Sequence, residues 1–250
     1  MRLTHRLTHT VLAACLAFSL PLTASASDYA REANWANEVV PSLMTGDPVW
    51  LEIPSGHKFL TLYTEADSAK AGVIVVHGMG VHPDWGLIGP LRQNLPDHGY
   101  ATLSVQMPVL KADAKGDQYP PTFDEAAERI KTAVDFMAAK GYSKIVLVTH
   151  SLGSRMSAHY LAKNPKNDVS AWVAIGAPAA LNYDKLKFPV LDLYGENDLP
   201  HVLNTAKARA KGLSGNKKSA QIVAPKADHF FNGKDSQLLE IVRDYLNKTL

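Results

Sequence analysis

The stretch that decides the reading is "KIVLVTHSLGSRMSAHYLA", Lys144 to Ala162. A short run of β-branched and aliphatic residues ends at Thr149, a serine follows at a turn, and an amphipathic segment begins at Leu152. That order predicts strand, tight turn and helix, with Ser151 at the bend. It nearly spells G-x-S-x-G, in which a sharp turn lifts a serine hydroxyl above a sheet. Gly153 supplies the second glycine, while Thr149 stands in place of the first. The competing reading is a serine that opens a helix and satisfies its free N–H groups.

The flanking sequence repeats the alternation. Gly72 to His77 (GVIVVH) is a continuous apolar run of the kind buried on both faces of a parallel sheet. Further strands are expected over Tyr100–Val105, Val169–Ile175, Phe188–Tyr194 and Ser219–Val223. Helices are expected over Ile88–His98, Val202–Lys211 and Ser236–Lys248. Another opens at Thr122, where Thr122 to Glu125 has capping-box spacing, and closes at Gly141. Upstream, Val49–Ile53 and Lys58–Thr64 flank Pro54-Ser55-Gly56 as a hairpin, preceded by a helical arm from Ala30 to Leu43. Strands separated by helices pair in parallel. The expected fold class is therefore α/β: a mostly parallel, doubly wound sheet with an N-terminal antiparallel hairpin, in one domain over residues 27–250.

Residues 1–26 read differently. Arg2 and Arg6 precede an apolar run from Val11 to Leu22, and Ala24-Ser25-Ala26 offers a small-x-small cleavage site. This is the pattern of a secretory signal peptide, so a periplasmic or secreted protein is expected. A lipobox at Leu12 to Cys15 is disfavoured, because only about four apolar residues precede Cys15 where signal regions carry about 7–15. Removing this segment takes two of the 26 Lys and Arg and none of the 24 Asp and Glu, leaving 24 − 24 = 0. A neutral mature chain gives no electrostatic reason to bind nucleic acid. Its only cysteine leaves with the signal, so the core must hold the fold without disulfides. No later stretch reaches membrane-spanning length.

Ligands of an open α/β sheet sit at the carboxyl ends of its strands. Three polar residues are expected there in the order Ser151, Asp198 (in "GENDLP") and His229 (in "APKADHFFNG"). Serine is a poor nucleophile until an imidazole takes its proton, and a carboxylate must orient that ring. Asp192 and Glu196 are rival acids, and His229 could instead be a packed ring beside Phe230 and Phe231. The turn in "VIVVHGMG", Val73 to Gly80, would supply the Met79 N–H to an oxyanion hole, with the Leu152 N–H as second donor. His77, His82 and His150 have no recognised metal-ligand spacing, so no metal and no cofactor are expected.

Together "HGMG", "THSLG", "GENDLP" and "ADHFF" resemble the α/β-hydrolase superfamily over essentially the whole mature chain. His77 to Pro108, "HGMGVHPDWGLIGPLRQNLPDHGYATLSVQMP", looks like a bacterial α/β-hydrolase family known only as a domain of unknown function. The resemblance implies the fold and the positions of Ser151, Asp198 and His229, and brings no settled substrate. Thr149 departs from the usual glycine, as it does in some lipases of the superfamily. The short connection Gly176–Lys187 leaves no room for a large cap, whereas the Pro-rich loop Pro108–Pro121 should overhang the site. The expected activity is an exported serine carboxylesterase acting on a small-molecule or exposed ester. An amidase or peptidase with the same triad and a non-catalytic envelope binding protein are the alternatives.

Overall fold

The computed structural model describes residues 27–250; the expected signal peptide and Cys15 lie outside the described residues. Eight strands form one sheet: β1 (Asp47–Glu52), β2 (Lys58–Thr64), β3 (Ala71–Val76), β4 (Tyr100–Val105), β5 (Ile145–His150), β6 (Val169–Ile175), β7 (Val190–Asn197) and β8 (Ala220–Asp228). Their spatial order is β1-β2-β4-β3-β5-β6-β7-β8. β1 and β2 form the expected hairpin, β2 also runs antiparallel to β4, and the other pairings are parallel.

The helices are α1 (Tyr29–Val39), α2 (Ile88–Asn94), α3 (Phe123–Ala139), α4 (Leu152–Lys163), α5 (Pro200–Gly212) and α6 (Asp235–Thr249). The two-residue period of a strand sorts alternate side chains to opposite faces. Ile74, Val76, Leu147 and Trp172 pack with Ile130, Val134 and Met137 of α3 and Met156 and Tyr160 of α4. Their neighbours Val73, Val75, Val146, Val148 and Val173 pack with Ile88 and Leu91 of α2 and Leu238, Val242 and Leu246 of α6. This is why the central strands read as unbroken apolar runs. α1 lies apart, placing Ala36 and Val39 against Leu60 and Leu62 of β2.

Several element ends differ by a few residues from the sequence reading, and three features there have a clear physical reason. The helix expected over Ile88–His98 stops at Asn94, and Pro96–His98 forms a 3-10 turn that ends at Gly99, because proline cannot extend the hydrogen-bond ladder. The spacing at Thr122 does not produce a capping box. The Thr122 hydroxyl instead donates to the Tyr119 carbonyl at 2.8 Å, and Glu125 is taken up by Arg129. β8 runs past Val223 to Asp228 despite Pro225; as the outermost strand it has an unpaired side on which a missing N–H is harmless. That extension delivers the chain to His229. No helix among the described residues is long and apolar enough to cross a membrane.

Candidate active site

Ser151 follows the last residue of β5 and takes φ +52°, ψ −121°. A non-glycine residue held at positive φ stores on the order of 1–3 kcal/mol of strain, which the surroundings must enforce. They do so on both sides. The Ser151 N–H donates to the Ile175 carbonyl at the end of β6 (2.9 Å). On the other side α4 starts so close to β3 that a Cβ on Gly153 would sit 2.4 Å from the His77 carbonyl oxygen. Glycine is therefore required at 153. At 149 it is not: the Thr149 hydroxyl is buried, 2.8 Å from the Ser154 hydroxyl, and accepts a hydrogen bond from the Trp172 indole at 2.8 Å. By strand parity Thr149 shares the face of Leu147, under α4.

The three residues of the expected triad come together. His229 Nε2 lies 3.0 Å from Ser151 Oγ, and His229 Nδ1 lies 2.6 Å from Asp198 Oδ1. Because an ionised carboxylate only accepts, Nδ1 carries the proton and Nε2 is free to accept from the serine hydroxyl. Asp198 directly follows β7. Its Oδ1 also accepts the Leu199 N–H (2.7 Å) and its Oδ2 the Gly195 N–H (3.1 Å). Burial pushes the Asp198 carboxyl up, but the hydrogen bond from His229, the charge that ring carries when protonated and those backbone donors outweigh it and hold it below the usual carboxylate range. The rival acids are engaged elsewhere: Asp192 pairs with Arg209 at 2.7 Å, and Glu196 accepts the Lys226 N–H at 2.8 Å.

The imidazole is seated by its neighbours. Gly176, at φ +57°, leaves the space it fills; a Cβ there would stand 2.9 Å from His229 Cε1. Phe231 is fully buried and anchors the loop, while Phe230 stays 40% exposed at the cleft. The His150 Nε2–H donates to the His229 carbonyl at 3.0 Å, so the residue before the serine holds the histidine loop.

The turn after β3 is fixed with equal care. His77 donates from Nδ1 to the Gly78 carbonyl (2.8 Å) and accepts the Met107 N–H at Nε2 (2.9 Å). In a trans peptide the C=O and the following N–H point in opposite directions. With the Gly78 carbonyl turned toward the buried His77, the Met79 N–H faces away from that ring, and Met79 itself lines the cleft beside Ser151. The Leu152 N–H, first in α4, has no intrahelical acceptor. Arg31 of α1 closes the arrangement, donating to the Gly80 carbonyl (2.9 Å) and the Leu110 carbonyl (2.7 Å). Arg31 is not singled out by the sequence, whereas His77, whose position beside the glycine turn suggests a structural or pocket-lining role, is the ring that braces that turn. The loop expected to overhang the site contributes Gly116 to the cleft wall.

Burial drives both His77 and His150 down to about 3, so both rings are neutral in the fold. In the unfolded chain each would titrate near 6.5, so below that pH unfolding takes up a proton at each ring. Stability from these two groups is therefore complete above pH 6.5 and falls as the pH drops toward about 3, by up to about 1.4 kcal/mol per pH unit for each ring. Thermal unfolding between pH 7 and pH 4 should show a steadily falling Tm; a flat profile would contradict neutral, buried rings.

A strained serine on a strand-to-helix bend, with acid and histidine following later strands in a sheet of this order, defines the α/β-hydrolase fold class. The chain belongs to the family described as "Protein of unknown function (DUF3530)", whose profile matches residues 29–127 and 111–248. No protein of curated function matches the sequence. Among solved structures it is similar to dienelactone hydrolase from Anabaena variabilis ATCC 29413, at 20% identity and TM-score 0.66 over 81% of this chain and 97% of that one. Est1E from Butyrivibrio proteoclasticus, with ferulic acid bound, gives 16% identity and TM-score 0.67 over 80% and 98%. An alpha-beta serine hydrolase homologue from Coxiella burnetii gives 19% and 0.63 over 82% and 99%. At such identities the likeness establishes the fold alone.

Proposed function

We propose that this protein is an exported serine hydrolase that cleaves carboxylic esters through an acyl-enzyme. Ser151 Oγ attacks the acyl carbon while His229 Nε2 takes its proton. Asp198 keeps the ring in the required tautomer and stabilises the imidazolium. The negative charge that develops on the carbonyl oxygen is received by the Met79 and Leu152 N–H groups, near the positive end of α4. His229 then protonates the leaving alkoxide. In the second half it activates a water that attacks the acyl-enzyme, and the serine is regenerated.

The observation that carries this reading is the unbroken hydrogen-bonded relay from Ser151 through His229 to Asp198. A fluorophosphonate probe tests it: wild type is expected to be labelled and Ser151→Ala is not. A folded wild-type protein that resists the probe would point to a binding protein on the same scaffold. Matched ester and amide substrates with one acyl group would then separate esterase from amidase or peptidase.

Export is the reading supported by Arg2, Arg6, the Val11–Leu22 run and Ala24 to Ala26. Protein purified from a bacterial periplasm or culture medium is expected to begin at or near Ser27 by intact-mass measurement. Retention of residues 1–26 in a cytosolic fraction would overturn it.

A further inference from the structure

The cleft over Ser151 has a volume of about 480 Å³. Its walls hold large apolar side chains in contact with water: Met79, Trp85, Leu199 and Phe230 are each 37–45% exposed there. Trp85 and Phe230 meet edge to face with ring centroids 5.7 Å apart. Such walls suit an apolar or aromatic substrate body. Against them stands one permanent charge. Arg155 lines the cleft, and no Asp or Glu lines it.

Arg155 lies four residues beyond Ser151, on the same side of α4 as the bend. The next basic residues along that stripe, His159 and Lys163, share the Asp124 carboxylate at 2.7 and 2.8 Å. Arg155 has no such partner: among the described residues it makes no ion pair and no side-chain hydrogen bond. Its guanidinium instead lies 5.3 Å from the centre of the Phe123 ring, a contact that orients the group without neutralising it. An arginine held beside apolar walls with no counter-charge is prepared for an incoming anion, which it can meet with two parallel, charge-assisted hydrogen bonds.

We propose that Arg155 is the specificity-determining residue of this site. It binds a carboxylate carried by the substrate, so the preferred esters join an apolar or aromatic body to an acidic group. This rests on the ester-hydrolase reading above.

Two matched pairs of esters test it in the full-length mature protein. One pair places the charge on the acyl side, mono-p-nitrophenyl glutarate against p-nitrophenyl hexanoate. The other places it on the alcohol side, 4-acetoxybenzoate against its methyl ester. The readout is the ratio of kcat/KM for the anionic over the neutral member. In wild type at least one pair should favour the anion, and that ratio should fall as ionic strength rises, since screening weakens an exposed charge pair. Arg155→Met should lower the ratio by about tenfold or more, and Arg155→Lys should retain part of it. A wild-type ratio below one in both pairs, or a ratio unmoved in Arg155→Met, overturns the proposal. Absence of turnover of both anionic esters overturns it too. If Ser151 is still labelled by the fluorophosphonate in any of these cases, the hydrolase reading stands without it. If no ester turns over and no label attaches, both fall together.

Discussion

Ser151→Ala and His229→Ala are each expected to lower kcat on a short-chain ester by about 10^4–10^6-fold, and the double variant should be no worse than the poorer single. The non-additivity follows from the geometry. The hydroxyl 3.0 Å from His229 Nε2 is a nucleophile only while that nitrogen can take its proton, and without the hydroxyl the nitrogen has nothing to activate for acylation. Asp198→Asn keeps the shape of the site but alters its protonation. An amide that turns its NH₂ toward Nδ1 would favour the tautomer with the proton on Nε2, where it cannot accept from serine. A loss of about 10^4-fold in kcat is expected for that variant. Residual turnover over water should persist in all four, because the proposed oxyanion donors, the Met79 and Leu152 N–H groups, are untouched. Full activity in Asp198→Asn, or multiplicative losses in the double variant, would remove the relay from the mechanism. Single-turnover and steady-state kinetics on one ester distinguish these outcomes.

The parts of this site that could be read from sequence are those that local pattern controls. Ser151 sits where an apolar run changes to a helical period, Asp198 follows a run ending at Tyr194, and His229 precedes a helix; each position follows from strand ends alone. Thr149 reads in sequence only as a departure from the usual glycine, because the motif constrains type without revealing which face a side chain takes. The structure places it under α4, where its hydroxyl bonds to Ser154 and Trp172. What local pattern could not reveal depends on partners far away in the chain. Arg31 reaches Gly80 and Leu110, respectively 49 and 79 positions on. Glu32 meets Arg129 of α3 in a two-pronged pair at 2.9 and 3.1 Å, and Arg129 in turn donates to the Gln106 carbonyl at 2.9 Å. The polar sequence of the N-terminal arm gives no sign of what it holds, yet Glu32 of α1 is buried and, through Arg129, ties the arm to the strand end bordering the site. Thr122 shows the converse: a correct local spacing lost because Arg129 competes for Glu125.

A second large effect is expected at Asp192, where Asp192→Ala should destabilise the fold by about 3–5 kcal/mol. Arg209 and Asp192 are both fully buried, 2.7 Å apart. The Asp192 carboxylate also accepts from the Gln221 side chain (2.6 Å) and the Tyr183 hydroxyl (3.2 Å). Removing it leaves a guanidinium with no counter-charge in the interior and strands the Tyr183 hydroxyl, while the Gln221 amide keeps only the Ala206 carbonyl (2.8 Å). The cost is that of an uncompensated buried charge, which far exceeds the net worth of the pair itself. Replacing both ends with apolar groups, Asp192→Leu with Arg209→Met, should therefore recover much of the loss. Urea unfolding of the two singles and the double supplies the coupling energy. The pair also bears on the site, because Arg209 donates to the Ala177 carbonyl (3.0 Å), next to the Gly176 that makes room for His229. It also holds the first turns of α5 through the Val202 carbonyl (3.0 Å) and the Thr205 hydroxyl (2.6 Å), just beyond Asp198. The apolar double variant, even where stable, loses these ties. It is expected to keep its fold while its turnover falls, and equal turnover in the double variant and wild type would show that the acid and histidine loops hold their places without Arg209.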